Sequence, residues 1–316
     1  MRILVVGGTA FVGRAIVETA VARGHEVTVL HRGETEPVDL PPVEHLHVDR
    51  LGDLSVLAGR EFDSVLDVCA YFPRHVATLA DALAGRVGHY TFISTISVYP
   101  DDVVTGATES SPIRQPPFPD SEIPVGSAYG DLKAACETVV QQRFAGRALI
   151  IRPGYIVGPY DTTDRYTSYV RRAALDDPLL MPGDPADPMQ VVDVRDLAEF
   201  TVARVEATDI ETYLVVGEDT TFGDIATIAC EAAGTSPKVE WIVSDDITDG
   251  ASGDAFEFPL WSPDAGGFLR LDPAKALAAG LLRRPPLETT ADTLVWDVLR
   301  GRPPLKVTSM RRGQGT

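Results

Sequence analysis

The first half of the chain alternates short, continuous apolar runs with longer segments in which apolar residues recur every three or four positions. The first run, residues 2–6, is followed by a helical pattern over residues 11–23. Further runs that predict strands are residues 26–32, 45–49, 63–68, 89–95 and 148–153. Helical patterns also lie near residues 74–84 and over 129–143. Because continuous apolar strands that alternate with helices are typical of a parallel sheet covered on both faces, we predict a doubly wound α/β fold.

The second half of the chain is less regular. Residues 189–205 predict a short strand that runs into a helix, followed by a strand at 212–217 and a helix at 221–234. The predicted division is a Rossmann-type dinucleotide-binding domain over residues 1–158, to which 191–217 return, and a smaller, irregular substrate-binding region over 159–190 and 218–316. In such folds ligands bind beyond the carboxyl ends of the strands.

Two segments of the second half show no clear periodicity. Residues 244–267 are rich in Asp, Gly and Ser and include Phe256, Phe258 and Trp261. We interpret this stretch as a loop or lid over a pocket, and a disordered loop is the alternative. The locally basic tail, residues 300–316, is expected to be mobile.

A glycine-rich stretch, "VVGGTAFVG" (5–13), ends the first strand and opens the first helix. Gly7 and Gly8 permit a tight turn that brings the backbone close to a pyrophosphate, and Gly13 allows the helix to pack against the sheet. Free N–H groups at the helix start would then face the phosphates. Ala10 replaces the usual middle glycine. The predicted cofactor loop comprises Gly7, Gly8, Thr9, Ala10, Phe11, Val12 and Gly13.

The end of the second strand bears on the choice between NAD and NADP. An acidic residue about 20 positions after the glycines would bind the ribose hydroxyls of NAD. Here that place holds His31 and Arg32, and a cation favours the 2′-phosphate of NADP. Glu34 and Glu36 follow and could reach the ribose instead. We predict that NADP(H) is favoured over NAD(H).

The third strand ends at Asp49. Its carboxylate could accept a hydrogen bond from the adenine amino group. It could equally cap the turn that follows.

Composition and charge indicate which classes of function this protein can have. The chain has 316 residues, of which 44% are hydrophobic, and a net charge of −18. Such a surface repels nucleic-acid backbones and anionic membranes, so we expect a small-molecule substrate and neither of those partners. Three widely spaced cysteines and six histidines without ligand spacing indicate no disulfide framework and no metal site. No apolar run reaches transmembrane length, and a cytoplasmic location is expected.

A Tyr-x-x-x-Lys pair, Tyr129 and Lys133, lies in "AYGDLKAACE" (128–137). The two residues share one helix face, and a lysine beside a phenol is expected to lower the phenol pKa electrostatically. The preceding strand ends in "STISVY" (94–99), where the hydroxyl of Thr95 or Ser94 could hold a substrate oxygen. This set suits reversible hydride transfer between a nicotinamide and a carbonyl.

In these motifs the sequence resembles the extended short-chain dehydrogenase/reductase family, in its NAD-dependent epimerase/dehydratase-like branch. The segments that carry the resemblance are "GGTAFVG" (7–13), "FISTISVY" (92–99), "YGDLKAACE" (129–137), "RPGYIVGP" (152–159) and "VDVRDLA" (192–198). They occur in the family's order over about two thirds of the chain. "GGTAFVG" also resembles an atypical subgroup that includes plastid RNA-binding relatives and isoflavone-reductase-like proteins.

The resemblance implies roles for individual residues. Tyr129 is implied as the acid/base, with Lys133 as its partner and as a contact of the nicotinamide ribose. The catalytic hydroxyl aligns with Thr95, whose neighbours Ser94 and Ser97 fit the pattern less well. Further cofactor contacts are expected at the ends of later strands, at Cys69, Ala70 and Pro153.

The sequence departs from the family where many members bind the diphosphate of a nucleotide sugar. An Asn of those enzymes is replaced by Tyr155, and an Arg is replaced within Pro188-Met189-Gln190. Arg171 and Arg172 could compensate, because arginine suits phosphate, but a solvated role is the alternative. We therefore favour a less charged carbonyl or hydroxyl substrate. Its expected contacts are Ser97, Tyr155, Arg171 and Trp261.

Three functional hypotheses follow. The first is an NADP(H)-dependent reductase or dehydrogenase of a small-molecule carbonyl. The second is a nucleotide-sugar epimerase or dehydratase, which would leave its cofactor unchanged overall. The third is a cofactor-binding or RNA-associated protein without turnover, which the intact Tyr129 and Lys133 disfavour. The resemblance also implies a possible homodimer, formed through the helices near 75–85 and 129–143.

Overall fold

The computed structural model describes residues 1–34, 39–115, 125–242, 258–262 and 266–306, with only the backbone of residues 125–127. Glu36, Phe256 and most of the 244–267 stretch, together with the tail from residue 307 onward, lie outside the described residues. Within the described part, no helix is long and apolar enough to cross a membrane.

The described strands are β1 Arg2–Val6, β2 Glu26–His31, β3 Glu44–His47, β4 Phe62–Asp67, β5 Val87–Ile93, β6 Ala148–Pro153, β7 Tyr155–Val157, β8 Leu179–Pro182, β9 Pro188–Met189, β10 Val191–Asp193, β11 Thr212–Val215, β12 Thr220–Thr221 and β13 Val239–Ile242. Seven of them form one sheet in the order β3–β2–β1–β4–β5–β6–β11. Every neighbouring pair in this sheet is parallel. The predicted doubly wound parallel sheet is therefore confirmed.

The described helices are α1 Phe11–Ala22, α2 Pro73–Ala82, α3 Val125–Arg143, α4 Arg165–Leu175, α5 Val194–Glu206, α6 Phe222–Ala233, α7 Ala274–Ala278 and α8 Pro286–Leu299. Helices α1 and α5 contribute side chains to one core beside the sheet. Helices α2 and α3 contribute to a second core. The chain thus covers both faces of the sheet, as its continuous apolar strands require.

Strand β1 shows why these runs are apolar throughout. Ile3 and Val5 join one core, whereas Leu4 and Val6 join the other. All four are almost completely buried. Successive side chains of a strand point to opposite faces, so a strand buried on both faces has no position for a polar residue. Burying each such side chain contributes about 1.5–3 kcal/mol.

The strand order reverses between β1 and β4, because β2 and β3 continue on one side and β5 and β6 on the other. The carboxyl ends of the strands on both sides of this reversal open a crevice, and ligands bind there in sheets of this kind. The glycine turn after β1 and the segment after β4 border this crevice.

A third core lies outside the sheet and packs α4 and α6 against β8. Phe258 and Leu260, from the described part of the 244–267 stretch, are buried in it. Strand β11 from the second half joins the edge of the large sheet beside β6. The division into a cofactor domain and a substrate region stays a prediction.

Candidate active site

The turn after β1 has no room for side chains at its glycines. Gly7 has φ +89°, in the left-handed region, and an added Cβ would lie 2.8 Å from Cys69 Sγ. An added Cβ at Gly13 would lie 2.1 Å from the carbonyl oxygen of Gly7. Helix α1 can therefore begin this close to β1 only with glycine at position 13.

The start of α1 is suited to an anion. Ala10 occupies the N-cap and offers no side-chain hydrogen bond, and the first turn contains no acidic residue. The first N–H groups of a helix have no partner within it, and the helix dipole favours negative charge at this end. The cradle therefore fits the pyrophosphate of a dinucleotide. Phe11 adopts φ +35°, which is uncommon for a residue with a side chain.

The predicted adenosine end of the site lies at the ends of β2 and β3. Arg32 pairs with Glu34 at 2.6 Å, and both side chains are mostly exposed. His31 is buried, and its Nε2 lies 3.0 Å from Nδ1 of His45. The carboxylate of Asp49 accepts a hydrogen bond from the N–H of Leu51 at 2.8 Å, so it caps the following turn. Its contact with adenine stays a prediction.

A buried ion pair supports the segment after β4. Arg50 donates two hydrogen bonds to Asp67, at 2.8 and 2.6 Å, and the phenol of Tyr90 donates a third at 2.6 Å. Burial alone would raise the pKa of Asp67, but the charge and hydrogen bonds of Arg50 lower it. Arg50 also donates to the sulfur of Cys69, at 3.4 Å. The pair therefore fixes the chain that leads to Cys69 and Ala70.

A cavity of about 380 Å³ opens at the carboxyl ends of the strands. Its wall includes these residues of the predicted site: Phe11, Val12, Thr95, Ser97, Tyr129, Lys133, Pro153, Tyr155 and Trp261. The wall thus joins the start of α1, the end of β5, the helix α3 and the described part of the 244–267 stretch. This volume suits a small molecule.

The side chains of Tyr129 and Thr95 both lie on the cavity wall, and the Thr95 hydroxyl acts to lower the pKa of the Tyr129 phenol. Thr95 accepts from the backbone N–H of Ser97 at 3.1 Å, so its hydroxyl is held at the N-cap of the short 3₁₀ turn Ile96–Val98. Burial raises the pKa of Tyr129 to about 12, against the lowering effects of the Thr95 hydroxyl and the charge of Arg165. The phenol is therefore protonated at neutral pH.

The structure does not support the expectation that Lys133 lowers the pKa of the Tyr129 phenol. Its ammonium is buried and donates to the carbonyl oxygens of Ile93, at 2.6 Å, and Ala70, at 3.0 Å. Burial lowers the pKa of Lys133 to about 8. The lysine therefore binds the ends of two strands together, and burial has a larger effect on the pKa of Tyr129 than any neighbouring charge.

A third residue on the same face of α3 was not predicted. Glu137 follows Lys133 by four positions, as Lys133 follows Tyr129. It is buried and accepts hydrogen bonds from Ser94, at 2.5 Å, and from two nitrogens of Arg152, at 3.0 and 2.7 Å. Glu137 therefore fixes the position of α3 against β5 and β6. Ser94 and Thr95 both line the cavity, but the hydroxyl of Ser94 donates to Glu137 and so belongs to this buried cluster.

The structure does not bring Arg171 to the cavity. Its guanidinium makes two hydrogen bonds with Asp297, at 2.7 and 2.6 Å, and a third with the carbonyl of Pro303. Arg172 donates to Ser168 and lies over the ring of Tyr169. Among the described residues, the cavity wall includes one arginine, Arg165, at the start of the same helix.

Gln190 explains one departure from the family pattern. It is almost completely buried, and its side-chain amide donates to Asp219 and to the carbonyl of Leu271, at 3.0 and 3.1 Å. Its carbonyl oxygen accepts from the N–H of Leu271 at 3.1 Å. In the stretch where many family members carry a nucleotide-binding arginine, Gln190 therefore links separate chain segments.

Comparison with known families and curated proteins gives three similarities. Residues 65–217 match the model of the NAD dependent epimerase/dehydratase family. The chloroplast stem-loop binding protein of 41 kDa b from Arabidopsis thaliana is 27% identical over 258 residues, which are 76% of this chain and 65% of that protein. The bifunctional pinoresinol-lariciresinol reductase from Forsythia intermedia is 34% identical over 68 residues, which are 21% of this chain and 22% of that enzyme. The chain therefore spans less than two thirds of the length of each relative.

Solved structures share the fold over nearly the whole chain. UDP-glucuronic acid 4-epimerase from Bacillus cereus, in complex with NAD, has a TM-score of 0.71 at 18% identity and covers 96% of this chain and 99% of its own. dTDP-glucose 4,6-dehydratase from Bacillus anthracis, in complex with NAD, has a TM-score of 0.70 at 17% identity, with 95% and 97% covered. At these identities the similarity shows a shared Rossmann-like fold.

Proposed function

We propose that this chain, whose residues 65–217 match the model of the NAD dependent epimerase/dehydratase family, is an NADP(H)-dependent reductase or dehydrogenase of a small-molecule carbonyl or hydroxyl. One observation carries the proposal: the hydroxyls of Tyr129 and Thr95 lie on the wall of one cavity, which also includes Lys133 and the start of α1. A proton donor thus stands beside the predicted cofactor cradle.

Each side chain has a distinct role in this proposal. The bound nicotinamide would supply the hydride for a carbonyl carbon or accept it from an alcohol carbon. In reduction, Tyr129 transfers its proton to the substrate oxygen, and Thr95 holds that oxygen with a hydrogen bond. The positive charge of Lys133 stabilises the phenolate that Tyr129 becomes. In oxidation, Tyr129 takes the proton back from the hydroxyl.

The preference for NADP(H) rests on the end of β2. No carboxylate stands at His31 or Arg32, and the guanidinium of Arg32 is exposed enough to meet a 2′-phosphate. Its pairing with Glu34 works against this preference, because the carboxylate would have to release Arg32 or would itself reach the ribose hydroxyls. The comparison of the two cofactors therefore tests this part of the proposal directly.

A nucleotide-sugar epimerase or dehydratase is the second candidate, favoured by the family match. Such enzymes use the same hydride transfer transiently. Against it, one family position that binds the substrate diphosphate holds Tyr155, which lines the cavity, and the other falls in the stretch Pro188-Met189-Gln190, where no arginine is present and Gln190 is buried and hydrogen-bonded. The net charge of −18 also disfavours a dianionic substrate. The same charge disfavours binding to nucleic acid. The name of the Arabidopsis relative describes stem-loop binding, for that protein.

The test is a fluorescence titration of the purified protein with NADPH and NADH in parallel. We expect tighter binding of NADPH, lost in Arg32→Ala and unchanged in Arg74→Ala, which removes an exposed arginine of α2. Ketones and aldehydes are then screened for consumption of NADPH. Tighter binding of NADH, or NAD that remains bound through purification without net consumption, would contradict the proposal and favour the epimerase or dehydratase.

A further inference from the structure

Arg165 is a cation on the cavity wall, and most of its donors have no hydrogen-bond partner among the described residues. Its side chain is half-buried, and its Nε donates to Thr163 Oγ1 at 3.1 Å. Within the described residues, its two terminal nitrogens make no hydrogen bond or ion pair. The guanidinium carbon lies 5.9 Å from the ring centroid of Tyr155, and its charge acts on Tyr129. The free edge of Arg165 is therefore close to both the aromatic wall and the proton donor.

Thr163 and Asp161 hold Arg165 in place. The hydroxyl of Thr163 donates to Asp161 Oδ1 at 2.7 Å, and the backbone N–H of Thr163 donates to the same oxygen at 2.9 Å. Asp161 is 1% exposed, and its second oxygen has no hydrogen-bond partner among the described residues. Because Thr163 accepts from Arg165 and donates to Asp161, the buried carboxylate orients the guanidinium through one hydroxyl.

The other residues of the cavity wall indicate the chemistry of a ligand whose charged group binds Arg165. Tyr155, Leu260, Trp261 and Phe268 present mainly rings and aliphatic groups to the cavity. Lys133, the other cation of the wall, already donates to two backbone carbonyls. A ligand with one planar anionic group and an apolar or ring-bearing body would match both features. A guanidinium binds such a group through two parallel hydrogen bonds.

We infer that Arg165 is a specificity-determining residue that binds a carboxylate of the substrate, with Thr163 and Asp161 as positioning residues. The inference rests on the proposed function, since it places the carboxylate on the carbonyl or hydroxyl compound that the enzyme converts. A monoanion needs only the one available cation, whereas a phosphate dianion would need more positive charge than the described wall provides.

Binding is tested first, without turnover. Calorimetric titration of the NADPH-saturated protein compares 3-phenylpropanoate with the neutral 3-phenylpropanamide. We expect the acid to bind about 10- to 100-fold more tightly, as for charge-assisted hydrogen bonds in a partly buried site. Arg165→Met should remove the difference. Arg2→Met, which removes an exposed arginine at the opposite end of β1, should preserve it.

The positioning role of Thr163 is tested by comparing two substitutions. Thr163→Val loses the hydroxyl that joins Arg165 to Asp161, and the preference for the acid should fall several-fold. Thr163→Ser keeps the hydroxyl and should restore it. Equal loss in both variants, with NADPH binding intact, would overturn the positioning role.

Turnover separates this inference from the proposed function. The assay compares 2-oxo and 4-oxo phenylalkanoates with their methyl esters. Acid-selective binding that depends on Arg165, without reduction of any compound, would support the carboxylate site and count against the reductase. Reduction of esters as well as acids would support the reductase and overturn the carboxylate site. Equal binding of acid and amide, no saturable binding of either, or acid preference that survives Arg165→Met would also overturn it.

Discussion

Replacing Glu137 by Gln should destabilise the protein strongly although the side chain keeps its shape. Glu137 is 1% exposed and Arg152 is 5% exposed, so their charges neutralise each other in the core. The carboxylate accepts three hydrogen bonds, one from Ser94 and two from Arg152. A glutamine keeps one acceptor oxygen but turns an NH₂ group towards Arg152. The buried guanidinium then loses its counter-charge and one hydrogen bond.

The magnitude follows from that geometry. Removing one partner of a buried ion pair costs about 3–5 kcal/mol. Because the remaining amide oxygen can still accept from Ser94 and from Arg152 Nε, we expect the lower end of this range, about 3 kcal/mol. The same change should also lower kcat, since Glu137 fixes the helix that carries Tyr129 and Lys133.

Urea unfolding followed by circular dichroism measures the loss of free energy. The matched control is Glu211→Gln, which breaks an exposed pair with Lys275 and should cost less than about 1 kcal/mol. The double variant Glu137→Leu/Arg152→Met replaces both charges by apolar groups and should recover most of the stability. If Glu137→Gln cost no more than Glu211→Gln, the buried cluster would not hold α3 in place.

Three further outcomes are expected. Gly13→Ala should abolish cofactor binding in a fluorescence titration, because the added Cβ would lie 2.1 Å from the carbonyl oxygen of Gly7. The control Ala10→Gly, at the N-cap of α1, should retain cofactor binding. The pKa of Lys133 is lowered to about 8, so the side chain is charged below that pH and neutral above it. The kcat/KM for reduction should therefore fall as the pH rises through about 8. The same fall in Lys133→Met as in the unmodified protein would contradict this. Asp67→Asn should cost about 3–5 kcal/mol in thermal or urea unfolding, because it leaves a buried arginine unpaired, and a loss below about 1 kcal/mol would refute that role.

Periodicity was sufficient for the fold because each core strand is apolar on both faces. The apolar runs 2–6 and 148–153 predict strands on that ground, and both lie in the central sheet. The start of α3 is harder to predict from the sequence. The helix begins at Val125, four residues before the predicted start, and the backbone leaves helical geometry at Ala128. Gly126 and Ser127 carry no apolar side chain that would mark a helix.

The substrate end of the site could not be derived from the sequence in the same way. Arg171, Arg172 and Arg165 lie in one helix, and only their partners decide which of them is available. Asp297 lies 126 positions after Arg171, and no local pattern predicts that pairing. The spacing Tyr129, Lys133, Glu137 was a usable signal, since three residues four apart share one helix face. The pattern could not show that Glu137 points at Arg152.

The most direct test of the proposed chemistry is Tyr129→Phe, with cofactor binding and turnover measured on the same preparation. The phenol hydroxyl and Thr95 line the same cavity, and loss of the hydroxyl removes the proton donor but leaves the glycine turn and Lys133 unchanged. We predict that NADPH binds as tightly as in the unmodified protein while reduction of the carbonyl substrate is abolished. Turnover near the original rate in Tyr129→Phe would contradict the proposed mechanism.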